Sequence, residues 1–544
     1  MLGARMFYLQ VIQHNFYRDI AKSQHTGRWR INSFRGDILD SDGRRIATSI
    51  PARSIYIHPR EISDVEKVSD ILSERLNLER THIEGQIRSG RNFAWVRRKV
   101  DPQVWSDIEH LRIRGIGSHK EPKRVYPFAE LFGVSGFGDI DSRGIEGLEK
   151  YWDSLLSENS GYEYFSMDGK GRGLGLPDNK PLNSLDGWTM VTSLNALYQT
   201  IAYEALKETI QKTDAKRGFV IVGLPDSGRI IAFAQYPSFD PNNPSAHPKE
   251  ARRIFQVTDI FEPGSTFKIV TAAAAVEQGV VQLDDRFYCE QGVWNIGRFR
   301  LRDHDPFGWL TFKEIMEQSS NIGIAKIAEL VGADTIYKYI RKFGFGRRTG
   351  IDIPGEVRGI VRPVSRWSKT SHWAIPIGQE VGVNGVQLWT MIATIANRGM
   401  WVRPRIADYF QSDDGRARWM PKRLPPHRVI SERTADAIEQ MLLGAVERGT
   451  GVRAKIPGVF VAGKTGTAQK IVDGRYSPDR FVASFVGYVR AGETAIACVV
   501  VIDEPRTPRT GGAVAAPVFR EILQRILHHK GIPFDNIPVI VVER

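Results

Sequence analysis

Along the first thirty-odd residues, Phe7, Tyr8, Leu9, Val11, Ile12, Phe16 and Tyr17 recur among polar neighbours. That spacing predicts one amphipathic helix, which either packs on its own domain or lies beside a membrane. From Arg35 to about Asp186 the pattern is patchy and punctuated by glycine. Short strands, such as one over residues 54–58, and one helix near 64–76 are expected there. Residues 133–138 and 169–175 are too rich in glycine for regular elements. The second stretch also lacks the Gly-Lys-Ser/Thr ending of a phosphate loop.

From Trp188 the rhythm changes. A strand is expected over 189–193, a long helix over 197–209, and strands over 218–222 and 230–234. The loop 236–248 carries four prolines and turns the chain. Helical spacing dominates 266–343; a Pro/Gly/Trp-rich stretch follows, then a helix after Ser431 and three strand-like runs from Val459. The last helix is expected over 518–528. Strands at both ends with helices between them predict one mixed sheet assembled from distant segments against a helical region, an α+β fold. No repeat or low-complexity tract is present.

Composition narrows the class. The 544 residues are 42% hydrophobic and 25% charged, with a formal charge of +13. These proportions exclude a disordered, collagenous or coiled-coil chain, and the length suits roughly two to four domains. The apolar run 495–502 is among the longest, far short of the about 18–20 residues of a membrane span. Residues 1–10 lack the apolar core of a signal peptide. Taken literally the chain is soluble and cytoplasmic, a reading that the chemistry below opposes. Two cysteines are too few for a disulfide scaffold, and Cys498 reads as a small buried hydrophobe. The basic balance admits nucleic acid or an anionic membrane as partner, but no nucleic-acid motif accompanies it.

Three segments carry candidate chemistry. In Glu262-Pro-Gly-Ser-Thr-Phe-Lys268 a Pro-Gly break precedes an alanine-rich helix that Gly279 stops. Ser265 then sits at a helix N-terminus with Lys268 one turn on, where desolvation and a neighbouring cation would lower the lysine pKa enough for it to take the serine proton. Thr311-Phe-Lys-Glu314 reads as a capping box opening a helix that ends near Gln318. Ser319-Ser320-Asn321 follows, placed to present a hydroxyl and an amide into a cleft. Lastly, a strand from Val459 runs into Lys464-Thr465-Gly466-Thr467. Gly466 would let a substrate backbone lie along that strand, and Lys464 would offer a cation to its carboxylate. Arg302-Asp-His-Asp305 matches no metal-ligand spacing and reads as a solvated charged turn; no metal or cofactor is expected. His528-His529 reads as a helix end.

Ser-x-x-Lys, Ser-x-Asn and Lys-Thr-Gly in this order are the acyl-transfer signature of penicillin-binding proteins and class A β-lactamases. Over nearly its whole length the chain resembles the class B penicillin-binding proteins, and within them the division-specific D,D-transpeptidases. The resemblance is carried by Arg35-Gly-Asp-Ile-Leu-Asp-Ser-Asp-Gly43, Arg124-Val-Tyr-Pro127 and Gly144-Ile-Glu-Gly-Leu-Glu149, then by Glu317–Gly323, Ile377-Gly-Gln-Glu380, Gln387, Ala462–Gln469 and Gly511–Phe519. The first motif departs from the family at Ser41 and Asp42. Elongation- and sporulation-specific branches share much of the pattern.

The resemblance implies a penicillin-binding transpeptidase fold over 188–530 on an irregular, β-rich pedestal domain over 35–187. A juxtamembrane helical segment over 1–34 and a tail over 531–544 flank them. It implies that Ser265 attacks the bond between two terminal D-alanines of a stem peptide, with Lys268 as base and Ser319 relaying the proton. Asn321 would hold the donor amide, Lys464 and Thr465 the terminal carboxylate, and the N–H groups of Ser265 and Thr467 the oxyanion. β-Lactams would acylate Ser265. Implied partners are peptidoglycan stem peptides, a membrane-embedded glycan polymerase and division proteins, with no nucleic acid. Relatives face the periplasm or outer surface from one N-terminal anchor; this chain starts where that anchor would end, so a late start or a truncated chain is expected. The Glu-x-x-Leu-Asn loop of class A β-lactamases is missing, since Glu356 is followed by Val-Arg-Gly-Ile. A β-lactam sensor and a catalytically idle division scaffold remain the alternatives.

Overall fold

The structure, a computed structural model, describes residues 2–531 apart from 15–16, 18–25, 32–33, 158–160, 167–185, 298, 413–414 and 493. The glycine-rich stretch at 169–175 and all but the first residue of the expected tail lie outside the described residues. Helix is present at the start, over Leu2–Phe7, and widens into a π turn at Tyr8–Ile12. The single long helix expected there is corrected: Thr26–Ile31 is a strand antiparallel to Gly161–Ser166. Gly27 weakens a helix, whereas Trp29 and Ile31 suit a strand. Met6, Phe7, Val11 and Ile12 are exposed. Among the described residues no helix is long and apolar enough to cross a membrane.

The N-terminal domain is built on strands β1 (Ile38–Leu39), β2 (Arg45–Ile57), β3 (Ala94–Val100) and β4 (Ile116–Val125). The long β2 pairs antiparallel with the other three. Helices α1 (Val65–Leu76), α2 (Arg80–Arg88) and α3 (Pro102–Glu109) cover it through Leu72, Leu76, Ile83, Ile87, Trp105 and Ile108. Asp64 caps α1 by accepting from the Lys67 N–H at 3.1 Å. The sequence showed α1 alone, because α2 and α3 each bury only two side chains and give a faint period.

Strand β5 (Thr189–Thr192) corrects the expected partition of strands. It pairs parallel with β1 and antiparallel with Ala407–Gln411, extending the N-terminal sheet rather than the C-terminal one. Helix α4 (Ala196–Thr213) follows, its first N–H groups accepted by the Asn195 side chain.

The second sheet contains β6 (Arg217–Leu224), β7 (Arg229–Tyr236), β8 (Phe460–Val472), β9 (Arg475–Ala491) and β10 (Thr494–Asp503). Its order is β8-β9-β10-β6-β7, antiparallel throughout. Central β10 explains the apolar run noted above. Ala497, Val499 and Val501 enter one core, Ile496, Cys498, Val500 and Ile502 the other, so both faces of the strand are covered. One layer holds α4 and α10 (described below). The other holds α5 (Lys268–Glu277), α6 (Phe312–Gln318), α7 (Asn321–Val331), α8 (Gly385–Ala396) and α9 (Glu432–Glu447). Trp389 of α8 is fully buried and donates its indole N–H to the Ala497 carbonyl at 3.2 Å. Helix α10 (Gly511–His529) begins seven residues before the expected boundary and takes Pro517 inside it. Its start rests on the edge strand: the Gly511 N–H donates to Thr467 Oγ1 at 3.0 Å.

Candidate active site

Strand β8 lies at the edge of its sheet, and the turn Gly264–Phe267 packs on it. Glycines set this approach. Gly264 has φ +56° and its N–H donates to the Gly378 carbonyl at 3.1 Å. A Cβ on Gly466 would run into Ser484 Oγ of the neighbouring strand and sit 2.9 Å from both the Pro263 carbonyl oxygen and Thr266 Cγ2. The smallness of Gly466 therefore serves the serine turn itself, whereas the sequence reading assigned it to a passing substrate. Ser265 rides on this turn, half-buried, and α5 starts at Lys268. Among the described residues its hydroxyl accepts and donates no hydrogen bond within the chain, so the direct Ser265–Lys268 contact is open in this state. Such bonds often close only with substrate bound.

Lys268 is fully buried. Its Nζ donates to the Ser319 carbonyl at 2.5 Å and to Asn321 Oδ1 at 2.7 Å, with Ser319 Oγ at 3.2 Å. Burial pushes its pKa down to about 7, against a smaller upward pull from Asp303 and Cys289. A neutral amine has two hydrogens and one lone pair. The two closest oxygens take the hydrogens, which leaves the lone pair for a hydroxyl proton.

Ser319 and Asn321 are held by two helix ends. Ser319 closes α6 in the left-handed conformation, φ +60°, an uncommon state for a residue with a side chain. The capping box at the other end of α6 is formed as expected: Glu314 N–H donates to Thr311 Oγ1 at 3.1 Å and Thr311 N–H to Glu314 Oε2 at 2.8 Å. Ser320 caps α7, accepting from the Gly323 N–H at 2.9 Å. Its hydroxyl donates to Asp303 Oδ2 at 2.6 Å, and Asp303 Oδ1 accepts from the N–H groups of Asn321 and Ile322. Asn321 Nδ2 donates to the Arg302 carbonyl at 2.8 Å. This corrects the reading of residues 302–305 as a mere charged turn. Asp303 and the Arg302 backbone position Asn321, while His304 and Asp305 stay exposed.

Lys464 is fully buried and its Nζ has no hydrogen-bond partner. Burial, and then the charge of Lys268, push its pKa well down. A buried amine without a partner can take one from a ligand, and an arriving carboxylate would favour its charged form. Thr465 shares a hydroxyl hydrogen bond of 2.7 Å with Thr450, and Thr467 is exposed at the end of the motif.

Two further residues went unassigned in the sequence. Buried Glu317 receives a two-pronged bond from Arg448, at 2.6 and 2.9 Å, and its carbonyl accepts from the Thr450 N–H at 3.2 Å. The helix end that carries Ser319 is thereby tied to the strand that carries Thr465. Glu356 is 6% exposed and accepts from the N–H groups of Thr349 and Gly350 and from the Thr349 hydroxyl. Its carboxylate is occupied with its own loop.

The site thus brings together a half-buried hydroxyl at a helix start, a buried amine of lowered pKa, a Ser-x-Asn corner and a second buried amine without a hydrogen-bond partner. That set can carry out acyl transfer through a serine ester. Comparison with known proteins agrees. Residues 218–524 match the family model of the penicillin binding protein transpeptidase domain, and residues 30–183 that of the penicillin-binding protein dimerisation domain. The probable peptidoglycan D,D-transpeptidase PenA of Neisseria meningitidis is 31% identical, covering 98% of this chain and 90% of the relative. The peptidoglycan D,D-transpeptidase FtsI of Escherichia coli is 30% identical over 99% of this chain and 90% of its own length. Among solved structures, penicillin binding protein 3 of Mycobacterium tuberculosis, complexed with aztreonam, superposes with a TM-score of 0.73 at 26% identity, over 95% of this chain and 100% of that one.

Proposed function

The chain belongs to the penicillin-binding protein transpeptidase family, and from that premise we propose that it is a peptidoglycan D,D-transpeptidase working through an ester on Ser265. The Ser265 hydroxyl attacks the carbonyl between the two terminal D-alanines of a donor stem peptide. Lys268 takes its proton. The tetrahedral oxyanion collapses to an acyl-enzyme, and D-alanine leaves with a proton relayed through Ser319. An amine of a neighbouring stem then attacks the ester, loses its proton and returns one to Ser265 as the crosslink closes. N–H groups of Ser265 and Thr467 stabilise the oxyanion, a contribution of about 2.7–4 kcal/mol per donor in comparable enzymes. Lys464 and Thr465 receive the terminal carboxylate, Asn321 the donor amide, and Gly466 keeps the strand in place. β-Lactams mimic the donor end and acylate Ser265.

One observation carries this reading: Lys268 is buried with its two shortest contacts to oxygen atoms of Ser319 and Asn321, which supports a neutral amine poised as base. The occupied Glu356 carboxylate supports slow hydrolysis and transfer to an amine. A fluorescent penicillin tests it. A long-lived adduct that disappears in Ser265→Ala is expected; steady turnover of the drug means a β-lactamase, and no labelling means an idle scaffold.

Residues 35–187 act as a pedestal and 188–530 as the catalytic unit. The exposed apolar residues Met6, Phe7, Val11 and Ile12 support a position beside the membrane, with the groove facing outward where glycan strands are. Septal wall synthesis, alongside a membrane-embedded glycan polymerase and division proteins, is the setting that the similarity to FtsI, over 90% of that relative, supports. Depletion followed by microscopy tests the branch: filaments fit septal work, and round cells point to elongation.

A further inference from the structure

A second cleft, of about 510 Å³, opens at the seam between the N-terminal domain and the loop after β7. It shares no residue with the acyl-transfer groove. Arg75, Arg97, Lys99 and Lys123 line it beside Arg98, which pairs with Glu121 and Asp141; among the described residues none of the first four has a carboxylate within ion-pair distance, and Arg97 donates to the Leu76 carbonyl of the same wall. Asn242 closes it from the catalytic side, exchanging hydrogen bonds of 2.9 and 3.0 Å with the backbone of Tyr126. Two carboxylates also line the cleft, and both serve backbone groups instead. Asp101 accepts from the Gln103 N–H at 2.8 Å, and Asp139 from those of Asp141 and Arg143 at 2.9 Å.

Two details mark a built site. Arg124 borders the cleft; its side chain is only 6% exposed, and its buried Nη2 has no hydrogen-bond partner. Lys99 is held at φ +56°, a strained state for a lysine, by its N–H donating to Ser54 Oγ at 3.0 Å. Its ammonium reaches Ser142 Oγ at 3.1 Å and is partly buried, and burial lowers its pKa. Asp101 and Asp139 in the wall, with Glu121 and Asp141 beside Lys99, offset only part of the positive charge gathered here, and an arriving anion would offset the rest.

We propose that this cleft binds a phosphate group of the diphosphate class. Four cations without a carboxylate partner call for an anion with several charges, and one carboxylate would answer only one of them. A diphosphate offers many acceptor oxygens to guanidinium forks and ammonium groups. The volume leaves room for whatever the diphosphate is attached to. The inference is independent of the acyl-transfer reading and can be tested on the Ser265→Ala chain.

Titration calorimetry of the full chain with inorganic pyrophosphate should show one saturable site. Arg97→Gln with Lys99→Gln should weaken it at least tenfold. Arg75→Gln with Lys123→Gln, both exposed positions, should do the same with an unchanged melting temperature, which guards against misfolding of the first variant. Arg433→Gln with Arg453→Gln removes equal charge far from the cleft and should leave binding intact. A second arm uses phosphatidylglycerol vesicles. Cleft-dependent vesicle binding without a pyrophosphate site overturns the diphosphate assignment in favour of a singly charged headgroup, and cleft-dependent pyrophosphate binding supports it. Absence of a saturable site, equal loss in the distant variant, or equally tight binding of citrate overturns the proposal.

Discussion

Lys268 Nζ and Asn321 Oδ1 lie 2.7 Å apart, although fifty-three positions separate the two residues in sequence. The contact fixes where the amine points, and burial fixes its charge. With its pKa pushed down to about 7, Lys268 is protonated and inactive as a base below that pH and neutral above it. Acylation of Ser265 by a penicillin should therefore rise about tenfold per pH unit up to about pH 7 and level off beyond it. Stopped-flow measurement between about pH 5.5 and 8.5 reads this directly. Lys268→Arg, charged at every pH, should lose roughly 100- to 10,000-fold. A flat profile would remove Lys268 from the proton transfer.

Asp303 should matter through Asn321. Asp303→Asn removes the charge at the α7 start and weakens the bonds to Ser320, Asn321 and Ile322. A stability loss of about 1 kcal/mol is expected from the cap alone. Acylation should slow, and because Asp303 pulls the Lys268 pKa upward, the inflection of the pH profile should move to lower pH. A loss of stability with no displaced inflection would reduce Asp303 to a helix cap.

Gly378 controls the serine turn. It sits at φ +85°, and a Cβ there would run into the Gly264 carbonyl. Gly378→Ala should cost about 1–3 kcal/mol in urea unfolding. It should also slow acylation by pushing Gly264, the neighbour of Ser265, out of place. Normal acylation in this variant would show that the turn tolerates the shift.

The pedestal depends on Glu149. This carboxylate is fully buried and takes Arg35 Nε at 2.5 Å, Arg124 Nε at 2.7 Å and the Tyr126 hydroxyl at 3.2 Å. Burial alone would raise its pKa, but Arg124 and then Arg35 hold it below the usual glutamate value. Its stabilising contribution is complete above that usual value and fades as pH falls through the lowered one. Glu149→Gln leaves Arg124 without its counter-charge and Arg35 with Asp153 alone, and should destabilise the chain by about 3–5 kcal/mol. Acid unfolding of the variant should lose its steepest part. A variant as stable as the parent would mean that Asp153, at 2.6 Å from Arg35, suffices.

Much of the site was legible because it depends on short spacings. Ser265 with Lys268, Ser319 with Asn321, and Lys464 through Thr467 each lie on one turn or one strand, so residue type and separation state the chemistry. Helix caps such as Thr311 with Glu314 were legible for the same reason. What stayed hidden rests on contacts between distant segments. Asp303 reaches Asn321 across a loop, Glu317 meets Arg448 from another helix, and Gly466 answers to Pro263. Neither periodicity nor spacing encodes such meetings. In the N-terminal domain the pattern failed where elements bury few side chains, as in α2, and where β5 joins a sheet far from its sequence neighbours.

The pair of Glu317 and Arg448, with Thr450 bonded to Thr465, acts as a cross-brace under the catalytic aperture. One wall of that aperture is the edge strand and the other the corner holding Ser319. Because the brace spans both, moving either wall alone breaks hydrogen bonds of Glu317 or Thr450. A bulky ligand that wedges the walls apart would have to break these hydrogen bonds, so the resistance to its entry lies beneath the opening as well as at its rim.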